Sequence, residues 1–200
     1  MKIVVPVKQV PEVSEVRMNE ETGTLIRDGV PSILNPFDEL AVEAAIQLKE
    51  AHGGEVTVIT MGPPQAKDAL LKALAMGADN AVHLTDIGFS GADTLVTAFT
   101  LSEYIRKMEF DLIICGKQAI DGDTAQVGPE IAEFLGIPQI CYVRKIEVGE
   151  DGKHVIAHRE TDEGYEVVKA KLPALLTATK GLNEPRLPNN HKSFTAITPW

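Results

Sequence analysis

The chain has 200 residues, of which 44% are hydrophobic, with 19 basic and 29 acidic side chains and a formal net charge of -10. That length and apolar content suit one α/β core with an appendage better than two independent domains. The acidic balance excludes counterion-driven binding to nucleic acid or to an anionic membrane surface, which needs clustered Lys and Arg.

Ile3 to Val7 is a β-branched run that is apolar on both faces, as a central parallel strand is. The stretch from Met1 to Lys8 is too short for a signal segment and is interrupted by Pro6. With no apolar run long enough to span a bilayer, the chain is expected in the cytoplasm without membrane insertion. Lys8 to Pro31 is irregular, with turn points at Gly23 and Gly29 and a short hairpin expected around Thr24-Leu25-Ile26. Asn35 suits an N-cap, Pro36 the first helical position, and Asp38 and Glu39 the positive helix end. The helix that follows is expected to place Phe37, Leu40, Ala41, Ala44, Ala45 and Leu48 on one face and to end at Gly53-Gly54.

Glu55 to Met61 reads as the next strand, and Gly62-Pro63-Pro64 as a turn. Ala66, Leu70, Ala73 and Leu74 then repeat at helical spacing up to Gly77. Asn80 to Leu84 is a third strand. Ser90 and Asp93 approximate a capping box, and Leu95, Ala98, Phe99, Ser102 and Ile105 are expected to line one face of a further helix. Phe110 to Cys115 is the fourth strand. Val127, Ile131, Phe134 and Leu135 return to helical spacing, and Pro129 requires that this helix start close to it or bend at it. The cysteines, Cys115 and Cys141, lie in apolar runs that read as core, and no disulfide framework or metal motif follows from them.

Strands alternate with helices from Ile3 to Ile140, which calls for right-handed crossovers and a parallel sheet. From Gln139 the pattern changes to strands alone: Ile140 to Val148, Val155 to Arg159, Tyr165 to Lys169 and Leu175 to Thr179, turning at Asp151-Gly152 and at Asp162-Glu163-Gly164. The expected fold is α/β: an open, doubly wound parallel sheet flanked by helices, with a C-terminal antiparallel strand extension. Residues 1–138 form the nucleotide-binding core, 139–182 the extension of the same domain, and 183–200 a shortened tail.

The nucleotide reading comes from the run Gly116 to Pro129, which joins a buried strand to a helix through small, backbone-exposing residues. In an open α/β sheet, ligands settle where strands end and helices begin, because free N–H groups and the positive helix end attract phosphate. Neither G-x-x-x-x-G-K-[ST] nor G-x-G-x-x-G occurs. The loop must therefore act with other strand ends: Pro6, Val7 and Lys8, then Met61 and Gly62, then Gly116 to Gln118. Asn35 and Asp38 can join them, although each taken singly is better explained as a helix cap. Asp121 and Asp123 either orient backbone N–H groups toward phosphate or form solvent-facing turns. His154 and His158, four apart on a strand, lie roughly 13 Å apart and cannot share an ion. No Ser-His-Asp or Cys-His set can be assembled, so the chain has a binding surface and no catalytic side chain.

Ala157-His158-Arg159, Asp162-Glu163-Gly164, Glu166, Val168, Pro173, Leu175-Leu176 and Thr177 resemble the signature of the electron-transfer flavoprotein β-subunit, and Asn183-Glu184-Pro185-Arg186 follows as in that family. Asn35-Pro36-Phe37, Ala73 to Asp79 and Gly116 to Asp121 are similar to further blocks of it, so the resemblance runs from Met1 to about Arg186. It implies a larger α-subunit partner carrying the electron-transferring FAD, and an adenine nucleotide held by the β-subunit. That nucleotide is structural AMP in ordinary members. In electron-bifurcating members it is a second FAD, reduced by NADH, which splits the electron pair. The stretch Asp121 to Pro129 resembles the bifurcating form. Carried over by position, the nucleotide contacts are Pro6, Asn35, Pro36, Phe37, Asp38, Met61, Ala119, Ile120, Asp121, Gly122, Asp123, Thr124, Ala125, Gln126, Val127, Gly128 and Pro129. The resemblance also implies electron exchange with an acyl-CoA dehydrogenase-like or other redox partner, the chemistry belonging to the flavin. Family chains continue past Asn-Glu-Pro-Arg with a leucine-anchored docking loop, a lysine-rich stretch and an arm to the α-subunit, which a chain ending at Trp200 is expected to lack. The competing reading, a stand-alone adenine-nucleotide sensor, leaves the signature region without a role.

Overall fold

The structure, a computed structural model, describes residues 1–12, 17–18, 25–26, 31–189 and 197–199. β1 (Lys2–Pro6) and the short β2 (Gln9–Pro11), β3 (Arg17–Met18), β4 (Leu25–Ile26) and β5 (Ser32–Leu34) lead to α1 (Pro36–His52). There follow β6 (Glu55–Met61), α2 (Lys67–Met76), β7 (Asn80–Leu84), α3 (Thr94–Ile105), β8 (Leu112–Gly116) and α4 (Val127–Leu135). The last elements are β9 (Gln139–Val148), β10 (His154–Thr161), β11 (Gly164–Lys171), β12 (Ala174–Ala178) and β13 (Ile197–Pro199).

One nine-stranded sheet takes the order β11-β10-β9-β12-β8-β1-β6-β7-β13. Every pairing from β9 across to β13 is parallel, and β10 and β11 add antiparallel at one side. Side chains of successive strand residues point to opposite faces, and the core divides accordingly. Ile3 and Val5 pack with Leu40, Ile46 and Leu74 of α1 and α2. Val4 packs on the other face with Ala98, Ile105 and Ile131 of α3 and α4. From β1 the chain winds outward through β6 to β7, then returns over α3 to β8 on the opposite side of β1. The connections leaving β1 and β8 diverge onto opposite faces, which makes the β1/β8 boundary the topological switch point of the sheet.

Most predicted elements stand within a residue or two of their expected limits, and α4 starts close to Pro129, its third residue. β3 and β4 pair antiparallel, as the hairpin near Leu25-Ile26 requires, while the expected turn points Gly23 and Gly29 lie outside the described residues. Two details differ. The run Leu175 to Thr179 does not extend the antiparallel strands: β12 inserts parallel between β8 and β9, pairing Leu176 with both Ile114 and Ile140. All five of its residues are buried, which fits a strand covered on both faces. In α3 the buried stripe is Ala98, Leu101, Ser102 and Ile105, whereas Leu95 and Phe99 are half exposed. Leu95 lies one turn before the first buried position, and Phe99 turns toward α4, edge-on to Phe134 at 5.5 Å between ring centroids.

Beyond β12 the chain runs back along α1. Asn183 Nδ2 donates to the Leu40 carbonyl at 2.9 Å. Arg186 donates through Nε and Nη2 to Glu43 at 2.8 and 3.1 Å, and through Nη1 and Nη2 to Glu50 at 2.6 and 3.0 Å. Burial pushes the Glu43 carboxyl up, but hydrogen bonds from Arg186 outweigh it and hold the group below its usual range. Asn189 N–H then donates to the Ala75 carbonyl of α2 at 2.8 Å, and β13 pairs with β7 at the far edge. No helix among the described residues is long and apolar enough to cross a membrane.

Candidate functional site

β1 pairs with β6 as far as Pro6–Ile59, but with β8 only as far as Val4–Ile113. Pro6 has no N–H to give, so the two strands are free to part at the switch point. The parting is held open in an ordered way by Asp38, in the first turn of α1. Its buried carboxylate accepts the N–H groups of Lys8, at 2.7 Å, and Gly116, one from each side of the gap. Burial pushes its pKa up to about 7, partly offset by hydrogen bonds from Asn35, Lys8 and Gly116. Gly116 is there for lack of room: a Cβ would collide with the Asp38 carboxylate and lie 2.7 Å from the Phe37 carbonyl carbon.

Asn35 was expected to cap α1 with its side chain. It does not. Its backbone carbonyl accepts the N–H groups of Asp38 and Glu39, and its side chain reaches across the gap instead. Nδ2 donates to the Gln118 carbonyl at 2.8 Å, and Oδ1 accepts the Ile120 N–H at 3.3 Å. The side chain thus copies a backbone partner for Gln118 and Ile120 of the loop.

The loop from Lys117 to Gln126 is stitched at several further points. Lys117 N–H donates to the Ala178 carbonyl, and Asp123 N–H to that of Ala119, closing a turn. Lys8 Nζ donates to both Asp121 oxygens at 2.7 and 2.9 Å, and the Gln118 amide contacts Asp123. Asp123 and Ala125 take positive φ values of 53° and 54°, a conformation costly for residues with a Cβ. Asp121, Gly122, Asp123 and Thr124 between these anchors are exposed. α4 begins at Val127, so the N–H groups of Val127 and Gly128 have no partner within the helix and Pro129 has none to satisfy. Gly128 lets the helix sit close on the sheet, since a Cβ there would be 3.1 Å from Thr177 Cγ2.

The structure gathers the expected residues at one end of the sheet. Pro6 ends β1, Asn35, Pro36, Phe37 and Asp38 form the start of α1, Met61 ends β6, and Ala119 to Pro129 run from the β8 loop into α4. Two features had no signal in the sequence. Thr94 Oγ1 at the start of α3 is within hydrogen-bonding distance of Gln126 Oε1 (3.1 Å) and Glu130 Oε1 (3.2 Å), tying α3 to the loop. Tyr142 has φ 62° inside β9, its N–H held by Thr177 Oγ1 at 3.0 Å and its ring 5.2 Å from Lys117 Nζ. Two open concavities, of about 760 and 340 Å³, lie at the opposite end of the strands around Lys2, Glu55 and Glu109. They are shallow and edged by carboxylates, and ligands of open α/β sheets collect at the carboxyl ends of the strands, so the switch-point crevice is the better candidate.

Residues 22–198 match the electron transfer flavoprotein domain family. The chain is 58% identical over 197 residues to the electron transfer flavoprotein subunit beta of Clostridium acetobutylicum, covering 98% of this chain and 75% of that one. It is 52% identical over 188 residues to the caffeyl-CoA reductase-Etf complex subunit CarD of Acetobacterium woodii, covering 93% and 71%. The protein FixA of Azorhizobium caulinodans is 49% identical over 192 residues, covering 93% and 68%. At these identities over nearly the whole chain, the protein belongs to the electron transfer flavoprotein β-subunit family.

Proposed function

We propose that the chain is the β-subunit of a heterodimeric electron transfer flavoprotein and holds an adenine-containing cofactor across the β1/β8 switch point. The single observation that carries this is the parting of β1 from β8 at the switch point. Two strand ends part there, one loop from each lines it, and Asn35 and Asp38 fix both loops from α1. The residues fit the group. Gly122, with nothing within 4 Å of its open side, and Ala125 let a pyrophosphate approach backbone, Thr124 offers an exposed hydroxyl, and the first turn of α4 offers free N–H groups. Pro6, Phe37 and Met61 supply apolar surface for the adenosine part.

The cofactor is FAD in this reading, because the stretch Asp121 to Pro129 resembles the bifurcating form of the loop. When bound, the flavin supplies the hydride and single-electron chemistry, with NADH as donor. The chain's own residues bind the adenosine and phosphates, fix the loop, and exclude water from the crevice. An α-subunit completes the pocket, and the complex passes electrons between a dehydrogenase or reductase and an acceptor in the cytoplasm. Counting cofactors in the purified αβ complex tests the proposal. Two FAD per complex and bleaching of flavin absorbance by NADH are expected. One FAD with one AMP, and no reduction by NADH, would leave the simpler carrier with structural AMP.

A further inference from the structure

We propose that Lys8 recognises a phosphate of the bound nucleotide and that Asp121 is its resident competitor, displaced when the phosphate enters. The inference rests on the nucleotide reading above. The main chain of Lys8 is fixed on both sides: its N–H donates to Asp38 at 2.7 Å, and its carbonyl accepts the Asn35 N–H at 2.9 Å. Its side chain is half exposed and ends on both oxygens of Asp121. That ion pair joins the segment leaving β1 to the loop leaving β8, so it crosses the switch point. A ligand lying along the crevice has to meet the ammonium group.

Charge makes the same case. The loop brings two carboxylates, Asp121 and Asp123, to a place meant for phosphate. Asp123 is met by the neutral amide of Gln118 and Asp121 by Lys8. An ion pair this exposed is worth little against water, whereas a phosphate carries more charge and more acceptor oxygens for the same ammonium. Exchange is therefore favourable, and the flexible lysine stem allows it without moving the anchored backbone.

The test uses the full-length chain in its complex with the α-subunit, freed of nucleotide, and measures equilibrium binding of AMP, FAD and adenosine. Lys8→Met is expected to weaken AMP and FAD about tenfold, to change adenosine by less than about twofold, and to flatten the salt dependence. Lys8→Arg keeps AMP within about threefold, which separates lost charge from lost folding. Asp121→Asn is expected to tighten AMP about threefold, because the competitor is gone. A shift shared by AMP and FAD places the contact at the phosphate next to the adenosine; one confined to FAD places it at the second phosphate. Unchanged AMP and FAD affinities in Lys8→Met, equal losses for AMP and adenosine, or weaker AMP binding in Asp121→Asn overturns the proposal and leaves the nucleotide reading standing. Failure of the wild-type complex to bind all three takes down both.

Discussion

Two residues at the crevice act through what they touch. Gly116 passes so close to the start of α1 that even a methyl group meets backbone atoms at 2.7 and 2.8 Å, which cannot swing away as a side-chain tip can. Gly116→Ala should lower unfolding stability by about 2–3 kcal/mol, while Gly122→Ala, with nothing within 4 Å of the new group, should stay within about 0.5 kcal/mol. Chemical denaturation of the two variants side by side checks this. Asp38 is a carboxyl whose pKa rises on folding from 3.8 to about 7, through burial above all. A raised folded value means that its contribution is fully present below the unfolded value and is lost as pH climbs through the folded one. Relative to Asp38→Asn, the wild type should therefore lose on the order of 3 kcal/mol between pH 4 and pH 8. Denaturation midpoints across that range should converge or cross as pH rises; a constant gap would mean that Asp38 stays ionised throughout.

At the scale of elements, the loop between β8 and α4 depends on two positive-φ residues with Thr124 between them. Proline at 124 removes a hydroxyl and an N–H and also disfavours the helical φ, ψ regions for Asp123 before it. Thr124→Pro should lower nucleotide retention at least about tenfold, read as cofactor content after gel filtration. Full cofactor content would show that the loop contributes little. Much of this loop was legible in the sequence. Its small residues and its place after an apolar strand pointed to a strand-to-helix turn, and the awkward Pro129 to a helix that starts close to it. What could not be read was how the loop is held. Asn35 carries the standard mark of a cap, and only the tertiary approach of the loop shows that its side chain has a better partner 83 residues on. The same limit explains β12: a five-residue apolar run after two hairpin turns looks like one more hairpin strand, and its place depends on a gap between β8 and β9 that local pattern does not encode. α3 erred for a third reason, since Leu95 and Phe99 fit the helical period yet lie where the sheet no longer covers them.

Across the whole molecule, the segment around Arg186 clamps the end of the fold to the helix that begins the site. Glu43 is nearly inaccessible, so removing its guanidinium partner leaves a buried charge, worth about 3 kcal/mol where pairs are broken one-sidedly. Arg186→Gln should destabilise by about that amount at pH 7. Glu43 has a lowered folded pKa, so its stabilisation is present above the unfolded value of 4.5 and is lost as pH falls below it. The difference between wild type and Arg186→Gln should accordingly shrink as pH drops from 5 toward 3. Thermal melts at several acidic pH values provide the check.

The position of β12 bears on how the protein is made. It is the neighbour of β8 in space, yet more than fifty residues separate the two along the chain, with β9, β10 and β11 all translated in between. Until β12 leaves the ribosome, β8 and β9 each present an unpaired, apolar edge to the crowded cell, of the kind that recruits other strands. The hairpin of β10 and β11 cannot shield both. A nascent chain of this protein must therefore pass through the synthesis of β9, β10 and β11 with an open slot in the middle of its sheet, and its yield depends on keeping that slot empty until its own strand arrives.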